Sequence, residues 1–272
     1  MRKLLRANFA RLWKSRTFWA EMAFMALICV AFLIDNRNND SNWTLDGGCF
    51  NYAFFVPILT AIVTALYVGS EYSDGTMRNK CVIGHQRKDI YLANLIVCVT
   101  ASVLMCTAYL IPYFCLGGAL RGHFVAAPQI ILLYAGLILV LMLAFTALFV
   151  LAAMLCQSKA HSATVCILLA FALLIFGFYI TSALNEPEYY EAYSATVDGI
   201  TVSEPEEPNP NYVSGTKRQV YEFLQDFTPG GQLFQVANMD AEHPARLALY
   251  SSAILLLSTC CGIVVFRRKD LK

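Results

Sequence analysis

The sequence predicts an all-α integral membrane protein with six transmembrane helices. An N-terminal helix lies at the membrane surface, a short helix fills the loop after the second span, and a small external segment separates the fifth and sixth spans. Three observations carry this. Of 272 residues, 58% are hydrophobic and only 14% are charged, against roughly 25% charged in an ordinary soluble domain. Six apolar runs are each long enough to cross a hydrocarbon core about 30 Å thick at about 1.5 Å per helical residue. The charges are sorted by side rather than mixed.

The runs cover Thr17–Ile34, Phe50–Gly69, Ile90–Leu116, Ile130–Leu155, Ala163–Leu184 and Leu247–Phe266. Helices are the expected form, because lipid leaves no water to satisfy an open strand edge. The first run is read as a retained span, not a cleaved signal: its basic lead is long and no small-residue cleavage pattern precedes the polar "DNRNNDSNW". Pro57 and Pro112 fall within spans as candidate kinks, and Gly117-Gly118 as a candidate break at the outer end of the third. Most of the ten cysteines lie inside apolar runs, where they act as small hydrophobes, and there is no C-x-x-C pair.

With six spans, both termini share a side. That side carries 15 basic residues against four acids, Glu71, Asp74, Asp89 and Asp270. The opposite side carries five basic residues and fourteen acids, eleven of them between Glu186 and Glu242. The positive-inside rule therefore puts both termini in the cytoplasm and makes the chain a multi-pass protein of the cell membrane. Three parts follow: residues 1–184 with the surface helix and five spans, 185–246 as an extracellular acidic segment, and 247–272 with the last span and a cytoplasmic tail.

At the start, Leu5, Phe9, Leu12 and Trp13 recur at i, i+4, i+7 and i+8, with six basic residues largely around the rest. This spacing predicts an interfacial anchor on the inner leaflet; a basic tail that merely obeys the charge rule is the plainer alternative.

The stretch "GSEYSDGTMRNKCVIGHQRKDIYLANL", residues 69–95, is a polar, charged loop between two apolar runs. Asp74 suits the positive end of a short helix, Lys80 its negative end, and Gly84 its stop. Residues 75–83 make a helix about 13 Å long. Met77, Cys81 and Val82 are expected on one face, with Arg78 and Lys80 projecting elsewhere. Such a knob can be gripped by a cytoplasmic partner, or it is only a tight connection whose cations enforce topology.

Glu71, Gly75-Thr76, Arg78, Gly84 and Arg87-Lys88, followed by an apolar span, resemble the G-E-x-x-x-G-T-x-R…G-x-x-R pattern of type-2 ATP-binding-cassette (ABC) transporter permeases. The likeness extends to the six-span layout, the basic start, "FLQDFTPGGQLFQV" and the terminal "FRRKDLK". It implies a coupling helix, with Glu71, Asp74, Gly75, Thr76, Arg78, Gly84 and Arg87 as ATPase-coupling residues, seated in a cleft of a separate ATP-binding subunit. It also implies short helices before the sixth span that dip into the outer leaflet, and a second permease copy or paralogue completing a dimer. The external segment, of about sixty residues, departs from the pattern, being longer and more acidic than a minimal permease needs.

Within that segment, "ATVDGITV" predicts a hairpin turning at Asp198-Gly199. "KRQVYEFLQDF" places Val220, Phe223, Leu224 and Phe227 on one helical face and stops at "TPGG". The acidity either attracts cationic substrates or only keeps an outside loop soluble and free of Lys and Arg.

The chain has no G-x-x-x-x-G-K-[ST] phosphate loop, so ATP and Mg belong to the partner and this chain needs no cofactor. Ion-coupled transport predicts ionisable groups deep in the spans, and Glu21 is the only candidate. It either snorkels or pairs with Arg16, or it gates or touches substrate. His85 and His161 map inside while His123 and His243 map outside, so no single metal site joins them. Neither H-E-x-x-H nor G-x-S-x-G occurs, the sequon at Asn42 is weak, and nucleic acid is not an expected partner. The reading is a non-enzymatic permease subunit that exports or clears a peptide, antibiotic or lipophilic compound. The alternative is a non-transporting scaffold or sensor that binds a ligand through its acidic segment.

Overall fold

The computed structural model describes residues 1–39, 44–120, 122–190, 193–197, 200–204 and 206–270. In chain order its elements are α1 (Arg2–Trp13), α2 (Arg16–Asn39), α3 (Asp46–Cys49), α4 (Tyr52–Ser73), α5 (Thr76–Val82), α6 (Arg87–Ala119), α7 (Pro128–Leu155) and α8 (Lys159–Leu184). Strands β1 (Tyr189–Tyr190), β2 (Tyr193–Val197), β3 (Ile200–Glu204) and β4 (Glu207–Pro208) follow, then α9 (Gly215–Phe227), α10 (Pro229–Ala237) and α11 (Pro244–Arg268).

Helices α2, α4, α6, α7, α8 and α11 are long and apolar enough to cross a membrane, and they coincide with the six runs to within a turn or two. Because their apolar residues run all the way round, each buries one side and leaves the other greasy. Leu27, Ile111, Leu132, Leu168, Ile175 and Leu257 are all more than 60% exposed, as side chains facing lipid are. Hydroxyls on the spans bond back to their own helix: Thr146 donates to the Met142 carbonyl at 2.7 Å and Ser258 to that of Ile254 at 2.6 Å. The middle of the bundle is α4 and α7, whose apolar windows are 61% and 67% buried, against 22% for α8 and α11. α4 packs on α7 and α8, α7 on α6 and α11, and α2 lies outside against α6. α4 continues through Pro57 and α6 through Pro112. Gly117-Gly118 do not break α6, which runs on to Ala119, where its last carbonyls are taken up by Leu120 and Gly122.

At the acidic end, α3 is fixed by its own carboxylate: Asp46 accepts from the amides of Val125 and Ala126, and the buried Tyr109 and Tyr113 donate to the carbonyls of Gly48 and Leu45. The predicted hairpin forms, with β2 and β3 antiparallel from Tyr193↔Glu204 to Val197↔Ile200, and β1 with β4 prolongs it. Its turn residues Asp198 and Gly199, like Asn42, lie outside the described residues.

The polar segment before the last span is partly drawn into the bundle. α9 keeps Val220, Phe223 and Phe227 exposed, but α10 is mostly buried, against α4, α7 and α8. "TPGG" both ends α9 and opens α10: the Thr228 hydroxyl accepts from the Gly231 amide and Pro229 takes the first position. Two glycines let α8 and α10 meet backbone to backbone. A Cβ on Gly230 would fall 1.8 Å from the Leu173 carbonyl oxygen, and one on Gly177 would fall 2.2 Å from the Gly230 carbonyl carbon.

Candidate functional site

Glu71 sits near the end of α4 with no exposed surface. A buried carboxylate costs several kcal/mol unless paired and hydrogen-bonded, and here both of its oxygens are engaged. Oε1 meets Arg11 Nη1 of α1 at 2.7 Å and also the Lys80 ammonium of α5. Oε2 accepts from Asn94 Nδ2 of α6 at 2.9 Å. The Thr76 hydroxyl donates to the backbone carbonyl of Glu71 at 3.1 Å. One residue thus joins four helices.

Asn8 widens the network from α1. Its amide nitrogen donates to Asn94 Oδ1 at 2.8 Å, and its amide oxygen accepts from Lys80 at 3.0 Å. Its backbone carbonyl accepts from the Tyr67 hydroxyl at 2.9 Å, and the Arg11 guanidinium stacks 3.7 Å above the Tyr67 ring. Burial lowers the pKa of Lys80, and the Glu71 carboxylate opposes that shift.

The loop between α4 and α6 is shaped by two left-handed glycines. Gly75 (φ +66°) turns the chain out of α4 into α5, and Gly84 (φ +98°) ends α5. At Gly84 two bonds close the helix, from the Gly84 amide to Cys81 and from the His85 amide to Lys80, the pattern that satisfies a helix's last carbonyls. Met77 anchors α5 in the core, whereas Val82 and Ile83 at its tip are each 78% exposed.

A second set of cations ties span ends on the same face. Arg87 Nη1 donates to the carbonyls of Phe266 (3.2 Å), Arg267 (3.1 Å) and Lys269 at the end of α11. Lys269 in turn donates to Met154 (2.8 Å), Leu155 (3.0 Å) and Cys156 (2.9 Å), the last carbonyls of α7. It also touches the Tyr72 hydroxyl at 3.2 Å, and Tyr72 itself donates to Met154 at 2.8 Å. Cations at helix C-termini answer the negative end of the dipole. Burial lowers the Lys269 pKa and raises that of the Cys156 thiol.

The residues singled out from sequence are therefore distributed as follows. Glu71, Thr76 and Arg87 are joined into the two networks, Gly75 and Gly84 shape the loop, and Asp74 and Arg78 stand exposed. Three expectations are corrected. Lys80 does not project outward but enters the Glu71 site. Val82 does not share the face of Met77 and Cys81, since five residues are about 140° of turn at 3.6 residues per turn, and it points away. Glu21 neither snorkels nor pairs with Arg16: it is 6% exposed, both carboxylate oxygens lack a hydrogen-bond partner among the described residues, and Arg16 is exposed. A five-residue separation turns the two side chains apart, where three or four bring them together. The anchor residues split. The inward row of α1 is Leu4, Asn8 and Leu12, with Leu5 and Phe9 half-buried beside it and Trp13 exposed against Trp19, whose indole donates to the Trp13 carbonyl.

Asn8, Arg11, Tyr67, Asn94 and Lys269 were not foreseen. The available signal was a lone asparagine on an apolar helical face, Asn8, and another inside an apolar span, Asn94, positions that demand a polar partner. Among the described residues, no group of His, Cys, Asp or Glu is arranged to hold a metal ion.

Compared with known proteins, residues 4–183 match the family model described as ABC-2 family transporter protein. The match takes in α1, the first five spans, both cation networks except the α11 end, and the α5 loop. No curated protein matches the chain. Because that model covers about two thirds of the sequence, the chain belongs to the ABC-2 family of membrane transporter proteins, whose members are non-catalytic permease domains.

Proposed function

We propose that the chain is the transmembrane subunit of an ABC transporter, with its basic face in the cytoplasm, and that α5 is the helix through which a separate ATP-binding subunit drives it. The single observation that supports this most is the pairing of a stiff base with an apolar tip. Glu71 clamps α5 to α1, α4 and α6, while Val82 and Ile83 stand free on a face otherwise rich in cations. A knob fixed to three helices passes on displacement, and an exposed apolar pair suits a partner's cleft. ATP and Mg are bound by the partner, and a second permease copy or paralogue completes the path. The cargo is a peptide, antibiotic or lipophilic compound leaving the cytoplasm.

The test is copurification of the chain with the nucleotide-binding protein of its native membrane, followed by Arg78→Glu. The variant is expected to insert normally and to lose ATPase capture or substrate-stimulated hydrolysis. Full stimulation by the variant, or no ATP-binding chain in the complex, sinks the proposal.

One observation favours the scaffold or sensor reading. A polar cavity of about 280 Å³ opens on the acidic face between α8, α9, α10 and α11, lined among others by Glu222, Asp226, Asp240, His243 and Arg246. Nucleotide dependence separates the two, since a sensor binds its ligand equally well with the ATPase absent.

A further inference from the structure

A second cavity, of about 440 Å³, lies on the basic face where α6 begins and α11 ends, lined by Gln86, Arg87, Lys88 and Arg267. Three of these four are cations, and among the described residues no carboxylate lines the space; Asp89 and Asp270, close in sequence, are not part of its wall. We propose that this cavity binds the phosphate of an anionic phospholipid in the leaflet on the basic face.

The geometry carries the proposal in three steps. Among the described residues Arg87 is committed only through Nη1, which caps the end of α11. A guanidinium has five donors, so the rest of its fork remains available. Lys88 and Arg267 make no ion pair among the described residues, and both are exposed. Three cations confined around one space repel one another and are stabilised by an anion, and a phosphate oxygen matches both guanidinium and ammonium donors.

Position then selects the kind of phosphate. The cavity sits at the terminal residues of two spanning helices, the level at which a bilayer carries its headgroups. Directly below Arg267, one helical turn back along α11, Val264 is 52% exposed, and Val265 beside it is also open. A ligand with its phosphate at Arg267 therefore finds an apolar surface for the remainder of the molecule. Free phosphate has no use for that surface; an acyl chain does. Juxtamembrane cations favour anionic lipid by about 1 kcal/mol each, close to fivefold in affinity.

The test uses the full chain purified from membranes and reconstituted in phosphatidylcholine discs containing a small fraction of phosphatidylglycerol, with bound lipid counted by native mass spectrometry. Wild type is expected to retain phosphatidylglycerol, and the Lys88→Gln/Arg267→Gln double variant to lose it by roughly 25-fold, fivefold for each cation. Excess inorganic phosphate should not displace the lipid. Neutralising Arg2 and Lys3 instead, an equal loss of charge on the same face, removes only diffuse attraction and should lower the count of lipid held in contact far less. Equal loss in that control reduces the effect to net charge and overturns the site. Competition by inorganic phosphate overturns the lipid assignment. So does a double variant that keeps its lipid but no longer captures the ATP-binding subunit, which makes the cavity a protein contact. The lipid count needs neither transport nor the ATP-binding subunit, so the site stands or falls separately from the proposed function.

Discussion

The Lys269 ammonium, just past the end of the sixth span, lies 2.8 Å from the Met154 carbonyl at the end of the fourth. A side chain from one helix thereby closes the terminus of another. Because Arg87 closes the terminus of the helix that carries Lys269, α6, α11 and α7 are linked in sequence on the basic face.

Lys269→Met should loosen that linkage. It leaves three carbonyls and the Tyr72 hydroxyl without their cation. Hydrogen bonds to a charged group are worth about 1.5–3 kcal/mol each at most, and water recovers part of this at a half-open site. The expected loss is about 2 kcal/mol, read as a lower midpoint of thermal unfolding in detergent, with Lys269→Arg in between.

Glu71→Gln should do more. It strands Arg11 and Lys80 beside a neutral amide in a buried setting, and breaking such a pair costs about 3–5 kcal/mol. Amide exchange should accelerate across residues 75–83 before it does so in α7, because α5 has few other anchors than Met77. Unchanged exchange in the loop would show that the ion pairs do not stiffen it.

Val82→Asp with Ile83→Asp should separate folding from partner capture. Both side chains are 78% exposed, so stability should move by no more than about 0.5 kcal/mol. Affinity for the proposed ATP-binding subunit should fall at least about tenfold, or 1.4 kcal/mol, in a pull-down titration.

Gly230→Ala should be poorly tolerated, because the new methyl group overlaps the Leu173 carbonyl in a backbone contact that has no side chain to yield. Overpacking of this kind costs about 1–3 kcal/mol or more. Gly118→Ala, with nothing within 4 Å, is the matched control, and it should leave the melting temperature in place.

The spans, the hairpin and the two loop glycines were legible in the sequence because each rests on local chemistry: apolar length, a turn dipeptide, a residue free to take positive φ. The clamp was not. Arg11 and Lys80 look from sequence like two more topology cations, and only the folded chain brings them to one oxygen of Glu71 across 60 and nine residues respectively. Lys269 reads as tail charge for the same reason. Composition alone puts α10 in the polar external segment, and only the family resemblance carries it into the outer leaflet; its burial rests on Gly177 and Gly230, whose close approach is a property of two helices together.

That approach has a mechanical corollary. The Leu173 carbonyl sits in the notch left by Gly230, so a shift of the fifth span bears directly on the backbone of the short helix and the pair forms one lever. The polar cavity between α8 and α11 has one wall on this lever and another on the sixth span. Its width is therefore a gauge of how far those two spans stand apart, readable from the acidic face without touching α5 or the basic span ends.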